Sequence, residues 1–483
     1  MLTVPHSREV VAIMSFGRPV LMLLTLVFLG ISPVIAFRLG AQDSVFVDPG
    51  RFGFKLPRGE VKWSDKKVNA LVKTSTGHTV ARVHVKVGEN FIVILPDGRL
   101  QPKTAAEIKF TDAPVVWTTG EELAQLVTKG PLSKFKTIQR RHHVFVYNTS
   151  EKMAEVTMNV MESMTRGLVT YMKPFGIPVE LPKVPLVVVM FQTEAQFQAY
   201  RKMPPGVVAY YDVITNRVFL YEESPLLKLD RDLAIRSTLS TIAHEGAHQI
   251  LANIGVQNRL SGWPMWISEG LAEYLAPTSV TRTMKWKGAG QINDFRMLEL
   301  ETFLRTKELD GIDGSVLKDT VAAARLTSRG YASAWSLTNY LAKREKNAFR
   351  DYLNSVSKLR PFEGSFPNSP RQAKIDKNLS QFKEFFGEKW EEIETEMIKY
   401  LGRQKFESPF NNFVHYAVLV AIPNGSKVEK KSAVFHMEDL ARQWAAEVLR
   451  KNESTTRPTI KIIKCVDRPQ AILETKFFYG SRR

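Results

Sequence analysis

Two histidines and a glutamate near the middle of the chain have the types and the spacing of a metal centre. His244, Glu245 and His248 form an HExxH motif, which here reads HEGAH. Four residues advance about 400° around an α-helix, so the two histidines stack on one face, one turn apart. Two imidazoles at that spacing can hold one Zn²⁺, with Glu245 beside them as a general base.

The segments around the motif predict two helices that fold back on each other. Leu233–Leu239 and Ile250–Ile254 carry a helical apolar pattern without proline. A turn is predicted at Gly262–Pro264, and a second helical segment with two glutamates, Glu269 and Glu273, follows it. The second helix therefore brings further carboxylates towards the first.

The segments HEGAHQ and WISEGLAEY together resemble the gluzincin metallopeptidases, particularly the aminopeptidase-type pattern of HExxH followed by W-x-N-E-G-x-A-x-Y. The resemblance is closest to a poorly characterised family of exported bacterial peptidase-like proteins. It implies that Glu269 is the third zinc ligand, with His244 and His248, and that Glu273 orients the ring of His244. Ser268 stands where the aminopeptidases usually have asparagine, which puts aminopeptidase activity in question more than metal binding.

The same resemblance implies an α+β fold built on a zincin-like (thermolysin-like) metallopeptidase domain, and zinc-dependent hydrolysis of a peptide or protein substrate. Glu245 would take a proton from a water that Zn²⁺ polarises. Gluzincins often supply a tyrosine hydroxyl to the oxyanion from a later helix, and Tyr331 corresponds to it in chain order. Two alternatives stay open: a catalytically inactive zincin-like domain that binds partners in the envelope, and a zinc hydrolase acting on a non-peptide or cell-wall bond.

The first 41 residues predict a targeting segment. Arg8 and Arg18 supply positive charge before an apolar run, Val20–Ala36. The run is short for a membrane-spanning helix, and the pattern is typical of a secretory signal peptide. An uncleaved N-terminal anchor is the alternative. Both predict an exported protein: periplasmic, in the cell envelope or secreted. One cysteine, Cys465, suits a bacterial envelope better than a disulfide-rich extracellular environment.

The remaining chain is predicted to form three domains. Residues 42–135 contain short apolar runs that alternate with polar residues, and they predict a small β-domain. Its stretch NFIVILPDGRLQPKTAAEIKF resembles the SH3-like modules of exported bacterial proteins, and a β-rich spacer is the alternative. Residues 140–405 form the gluzincin-like peptidase domain. Residues 406–483 are predicted to be a small α/β domain, in the order β-α-β-β with a final strand at Ala471–Phe478.

Three further segments carry predictions of local structure. Lys134–His143 is predicted to be a basic linker, and Pro277–Ser315 a less regular region. Leu379–Gln404 is predicted to be an amphipathic helix whose aromatic residues face the core.

The chain is strongly basic, with a formal net charge of +18. This charge favours anionic neighbours such as envelope polymers. The lysines and arginines are scattered, and with export predicted and no recognisable nucleic-acid module we expect no nucleic-acid partner. We expect contact with a membrane only through an N-terminal anchor.

Overall fold

The computed structural model describes residues 45–279, 284–307, 311–364, 371–425, 427–452 and 457–480. All of them belong to one compact unit. The predicted signal peptide or anchor lies outside the described residues. Within the described part of the chain, no helix is both long enough and apolar enough to cross a membrane.

The described part of the chain begins with a sheet of seven antiparallel strands. The residues of β4 that point inwards, Ala81, Val85 and Val87, are buried, as the alternating pattern predicts. β4 pairs with β2, β3 and β5, and its register with β5 shifts at a bulge between Val83 and Val85. The strands are β1 (Phe46–Val47), β2 (Gly59–Lys62), β3 (Asn69–Thr74), β4 (Gly77–Val87), β5 (Asn90–Ile94), β6 (Leu100–Lys103) and β7 (Ile108–Thr111).

A second sheet of five strands follows, in the order β11-β12-β10-β9-β8. Strands β9, β10 and β12 are parallel, and all six residues of β10 are buried, as its continuous apolar run predicts. β11 forms one edge and runs antiparallel to β12. The strands are β8 (Lys136–Gln139), β9 (His143–Tyr147), β10 (Leu186–Phe191), β11 (Ala209–Asp212) and β12 (Arg217–Tyr221), with helices α1 (Gly120–Val127), α2 (Glu151–Met172) and α3 (Glu194–Tyr200) among them.

The prediction of a basic linker at Lys134–His143 is wrong in part, because β8 lies inside it and pairs with β9. β8 is an edge strand with mostly exposed side chains, so its sequence carries little apolar signal. Ser150 caps the long helix α2: its side chain accepts a hydrogen bond from the backbone N–H of Met153.

The helical part of the chain packs around a single large core. At its centre the ring of Trp266 stacks on Tyr352, with 5.2 Å between centroids, and contacts Phe382 edge-on. The helices are α4 (Arg231–Asn253), α5 (Met265–Leu275), α6 (Asp294–Lys307), α7 (Ser315–Ala322), α8 (Ser328–Arg344), α9 (Lys346–Ser357), α10 (Arg371–Phe386) and α11 (Trp390–Gly402); a short hairpin of β13 (Thr278–Ser279) and β14 (Lys285–Trp286) precedes α6.

Two predictions in this part are corrected. The region expected to be less regular contains α6, whose apolar periodicity is obscured because Arg296 and Glu299 turn their charged groups towards the protein. The predicted single helix at Leu379–Gln404 is two helices, because Gly387 adopts a left-handed φ of 76° between α10 and α11. The aromatic stripe of this segment does face the core, as predicted.

The last part of the chain is a three-stranded antiparallel sheet with a helix on each face. The predicted β-α-β-β order is wrong. A second strand forms a hairpin with the first, and Ala471–Phe478 lies in a helix rather than a strand. That helix begins where Asp467 accepts a hydrogen bond from the backbone N–H of Gln470, and Pro469 occupies its first turn. The elements are β15 (His415–Asn424), β16 (Lys427–Phe435), α12 (Glu438–Arg450), β17 (Thr459–Cys465) and α13 (Arg468–Gly480).

Candidate metal centre

The two predicted helices of the centre are present, as α4 and α5, and small residues fix their positions. A Cβ atom on Gly246, inside the HExxH motif, would lie 2.5 Å from Sδ of Met161, so the motif is pressed against α2. A Cβ atom on Gly270 would lie 2.5 Å from the carbonyl oxygen of Ala334, so α5 is pressed against α8. Glycine at these two places permits α4 to approach α2 closely and α5 to approach α8 closely.

Three donor atoms meet between α4 and α5. Nε2 of His244 lies 3.2 Å from Oε2 of Glu269. Nε2 of His248 lies 3.4 Å from the same oxygen and 3.3 Å from Nε2 of His244. Within the described part of the chain, these residues form the one group of three or more His, Cys, Asp or Glu side chains arranged to hold a metal ion.

The geometry of this triangle suits zinc. Zinc ligands at about 2.0–2.1 Å in a tetrahedral site are about 3.3–3.4 Å from one another, which is the spacing of the three donors. Two imidazoles and one carboxylate also form a known donor set for zinc sites that keep a fourth position open. The residues present therefore fit a zinc ion.

Glu273 lies one helical turn beyond Glu269 and contacts His244 from behind. Its Oε1 is 3.1 Å from Nδ1 of His244. The same carboxylate accepts hydrogen bonds from Arg296, at 2.7 Å, and from the side chain of Asn293, at 2.9 Å. These contacts fix the carboxylate, and the carboxylate in turn restricts the rotation of the His244 ring.

Electrostatics in this group favour ionised carboxylates. Burial opposes ionisation of Glu273, but the charges of His244 and Arg296 outweigh it and lower its pKa to about 2. Burial likewise opposes ionisation of Glu269, and the two histidines outweigh it and lower the pKa of its carboxyl group. Burial lowers the pKa of His244 as well, but the nearby carboxylates outweigh that effect and raise it well above its usual value.

Glu245 is held beside the three donors by the backbone of the edge strand. The N–H of Tyr211, in β11, donates a hydrogen bond of 2.8 Å to Oε2 of Glu245. Burial raises the pKa of this carboxyl group, so it holds a proton more readily than an exposed glutamate does. A carboxylate of raised pKa is suited to accept a proton and return it.

Tyr331, the predicted oxyanion partner, begins the second turn of α8 and faces the same site. Its ring centroid is 6.1 Å from that of His244, and the guanidinium of Arg296 lies 5.3 Å from the centre of the ring. Burial raises the pKa of its hydroxyl, which therefore stays protonated and able to donate. All the predicted site residues except Glu273 line one cleft of about 430 Å³.

The sequence alone did not indicate Asn293, Arg296 or the backbone of Tyr211. Asn293 and Arg296 lie at the start of α6, in a region with no motif, and a backbone N–H carries no residue-type signal. The one available hint was the charged residue Arg296 among apolar residues such as Phe295, Met297 and Leu298.

A known protein family matches part of this chain. It is described as a protein of unknown function, DUF1570, and it matches residues 238–363. The matched stretch includes all of the predicted site residues, from His244 to Tyr331. No curated protein matches the chain. The matched family has no assigned function, and the cluster of His244, His248 and Glu269 is compatible with a metal site.

Proposed function

We propose that this protein is a zinc metallopeptidase of the gluzincin type, built on a zincin-like fold, which hydrolyses peptide bonds in a peptide or protein substrate. The observation that carries the proposal is the triangle of donor atoms from His244, His248 and Glu269, with sides of 3.2 to 3.4 Å. A chance HExxH motif has no reason to meet a carboxylate from another helix at this spacing.

His244, His248 and Glu269 would hold the zinc ion, and Glu273 would orient the ring of His244. Zinc, when bound, acts as a Lewis acid that polarises the carbonyl group of a substrate and lowers the pKa of a coordinated water. The remaining chemistry belongs to side chains that line the cleft.

Glu245 moves the proton in this mechanism. Its carboxylate accepts a proton as the oxygen of water attacks the carbonyl carbon of the peptide, and it gives that proton to the nitrogen of the leaving amine as the C–N bond breaks. The hydrogen bond from Tyr211 N–H to Oε2 fixes one oxygen of the carboxylate, which leaves Oε1 to carry the proton. The hydroxyl of Tyr331 donates a hydrogen bond to the oxygen of the carbonyl group as negative charge develops there.

The first test is the metal content of the purified protein, measured by elemental mass spectrometry beside a Glu269→Ala variant. We expect about one zinc per chain in the wild type, because three protein ligands form a single zinc site. We expect the variant, which lacks one of the three ligands, to lose the zinc. Wild-type protein that stays free of zinc after zinc is offered would refute the proposal.

The second test separates metal binding from catalysis. Glu245→Gln removes the proton carrier but keeps the shape of the side chain and its contact with Tyr211 N–H. We expect it to keep its zinc and to lose about 10²–10⁴-fold in kcat on a peptide library. A Glu245→Gln variant with wild-type kcat would show that cleavage does not use this site.

A further inference from the structure

One side of the cleft comes from the N-terminal β-sheet region, not from the helices that carry the metal ligands. Phe52 lines the cleft together with His244 and Glu245. It ends a single 3-10 turn, Pro49–Phe52, in which Asp48 accepts a hydrogen bond of 3.0 Å from the N–H of Gly50. The chain then turns back at Gly53, whose φ of 85° is left-handed. The position of Phe52 is therefore set by its own turn.

Phe52 is also fixed from the opposite side. Its ring packs edge-on against Phe362, with 5.1 Å between centroids. The N–H of Phe362 donates a hydrogen bond of 2.7 Å to the carbonyl oxygen of Leu260, and Leu260 lines the cleft as well. Phe52, Phe362 and Leu260 thus form one continuous packed group at the cleft.

The backbone of this group is strained. Leu260 and Phe362 both have a left-handed φ of 66°, which residues with bulky side chains rarely adopt. Both side chains are buried in the apolar cluster of the first sheet, with Phe54, Val85 and Ile92. A strained backbone persists only where its surroundings over-determine it, and such positions concentrate at functional sites.

Polar contacts hold the first sheet and the cleft together. Arg259, next to Leu260, donates a hydrogen bond of 2.7 Å from Nη1 to the carbonyl oxygen of Gly98. Its own carbonyl oxygen lies 2.8 Å from Nε2 of His84, in β4. Nε1 of Trp63 donates a hydrogen bond of 2.7 Å to the carbonyl oxygen of Pro361. The first sheet therefore has a defined position relative to the metal centre.

We propose that Phe52, Leu260 and Val213 form an apolar subsite that takes a large apolar side chain of the substrate, next to the bond to be cut. The three side chains line the cleft and belong to the same apolar cluster. This inference rests on the proposed function and adds the substrate class: peptides with a residue such as leucine or phenylalanine beside the cleavage point. The first sheet is then part of the substrate cleft.

Phe52→Ala tests the subsite through two readouts, with Phe52→Leu as the conservative variant. In a peptide library, we expect the kcat/KM ratio of leucine over alanine beside the cut bond to fall about tenfold in Phe52→Ala. Phe52→Leu should give an intermediate ratio. Phe46→Ala is the matched control, because Phe46 is an exposed phenylalanine in β1 of the same sheet, and it should leave the ratio unchanged. A thermal melt of each variant checks that it is folded.

The second readout does not depend on catalysis. Calorimetry of zinc-loaded protein compares acetohydroxamate with a hydroxamate that carries an isobutyl arm. We expect Phe52→Ala to weaken binding of the isobutyl compound about tenfold and to leave acetohydroxamate unchanged. An affinity ratio that is the same in wild type and Phe52→Ala would overturn the subsite and leave the zinc site intact. Failure of acetohydroxamate to bind the wild type would instead count against the proposed function itself.

Discussion

At the scale of single residues, the centre depends on a chain of contacts that runs from the proposed metal ligands into α6. His244 contacts Glu273, Glu273 pairs with Arg296, and Arg296 pairs in turn with Glu299 and lies over the ring of Tyr331. Arg296 is thus a positioning residue for both the proposed ligand His244, through Glu273, and the proposed oxyanion donor Tyr331. Without it, the buried carboxylate of Glu273 would lose the guanidinium that pairs with it at 2.7 Å.

Arg296→Gln should weaken zinc binding by about 10–100-fold, the usual effect of losing a partner behind a ligand. The zinc dissociation constant, measured by competition with a chromogenic chelator, gives the result directly. Arg344→Gln is the control, because Arg344 lies over the ring of Tyr400 at the other end of α8 and is exposed. Arg296→Lys should recover part of the affinity, since it restores the charge. Equal zinc affinity in wild type and Arg296→Gln would show that Glu273 is positioned without Arg296.

At the scale of elements, the centre depends on how closely α5 approaches α8. Gly270 makes that approach possible, and Glu269 is its immediate neighbour in the chain. An added methyl group would meet both the hydroxyl of Thr338 and the backbone carbonyl of Ala334, and the carbonyl cannot rotate away as a flexible side chain can. A shift of α5 would displace Glu269 from the two histidines.

Gly270→Ala should destabilise the protein by about 1–3 kcal/mol through overpacking. This loss exceeds the gain of roughly 0.5–1 kcal/mol that alanine brings to a helix. The free energy of unfolding, from denaturant titration, is the measurement. Gly402→Ala is the matched control, because Gly402 is also helical and its added Cβ would meet nothing within 4 Å. If both variants gained stability equally, the close packing of α5 on α8 would not be a constraint.

At the scale of the whole molecule, the first sheet and the helical part are joined through His84 and Arg259. Burial, with a smaller contribution from the charge of Arg259, lowers the pKa of His84 to about 4. The unfolded chain takes up this proton near the ordinary histidine pKa of about 6.5. Above about pH 6.5, neutral His84 costs the folded protein no stability. As the pH falls from there towards the folded pKa, the unfolded chain binds a proton that the folded chain does not, and the free energy of unfolding decreases.

We expect His84→Gln to reduce the loss of stability that the wild type shows as the pH falls from about 6.5 to 4. Glutamine does not titrate and can still donate a hydrogen bond to the carbonyl oxygen of Arg259. The free energy of unfolding, measured at several pH values for both proteins, gives the two slopes. Identical slopes would mean that His84 does not titrate differently in the folded and unfolded chains.

The basic charge and the N-terminal segment also concern the whole molecule. Export, anionic partners in the envelope and an anchor or signal at residues 1–41 stay predictions from the sequence. The net charge of +18 belongs to the full chain, and scattered basic residues favour many weak contacts more than one defined site.

The sequence by itself determined the parts of the centre that follow from local periodicity. An HExxH motif on an unbroken apolar pattern requires a helix with both histidines on one face, and the turn before Trp266 requires a second helix that carries Glu269 and Glu273. These elements could be predicted because they depend on residues close together in the chain. That Glu269 in particular meets the two histidines was implied by the family resemblance of HEGAHQ and WISEGLAEY. Helix α6, the break at Gly387 and helix α13 were predicted wrongly, because each depends on packing or capping that weakens or obscures the apolar pattern.

Only the tertiary structure decided which distant residues complete the cleft. Phe52 and His244 line the same cleft although almost two hundred positions of sequence separate them, and no local pattern marks Phe52 as part of the site. Leu260 and Phe362 adopt left-handed backbone angles that neither residue prefers, so their own types predict the opposite. Arg296, in α6, reaches Glu273, in α5, because both helices pack against α8. In each case, packing between residues that are distant in the chain outweighs the local preference of the residue, and this packing exists only in the folded chain.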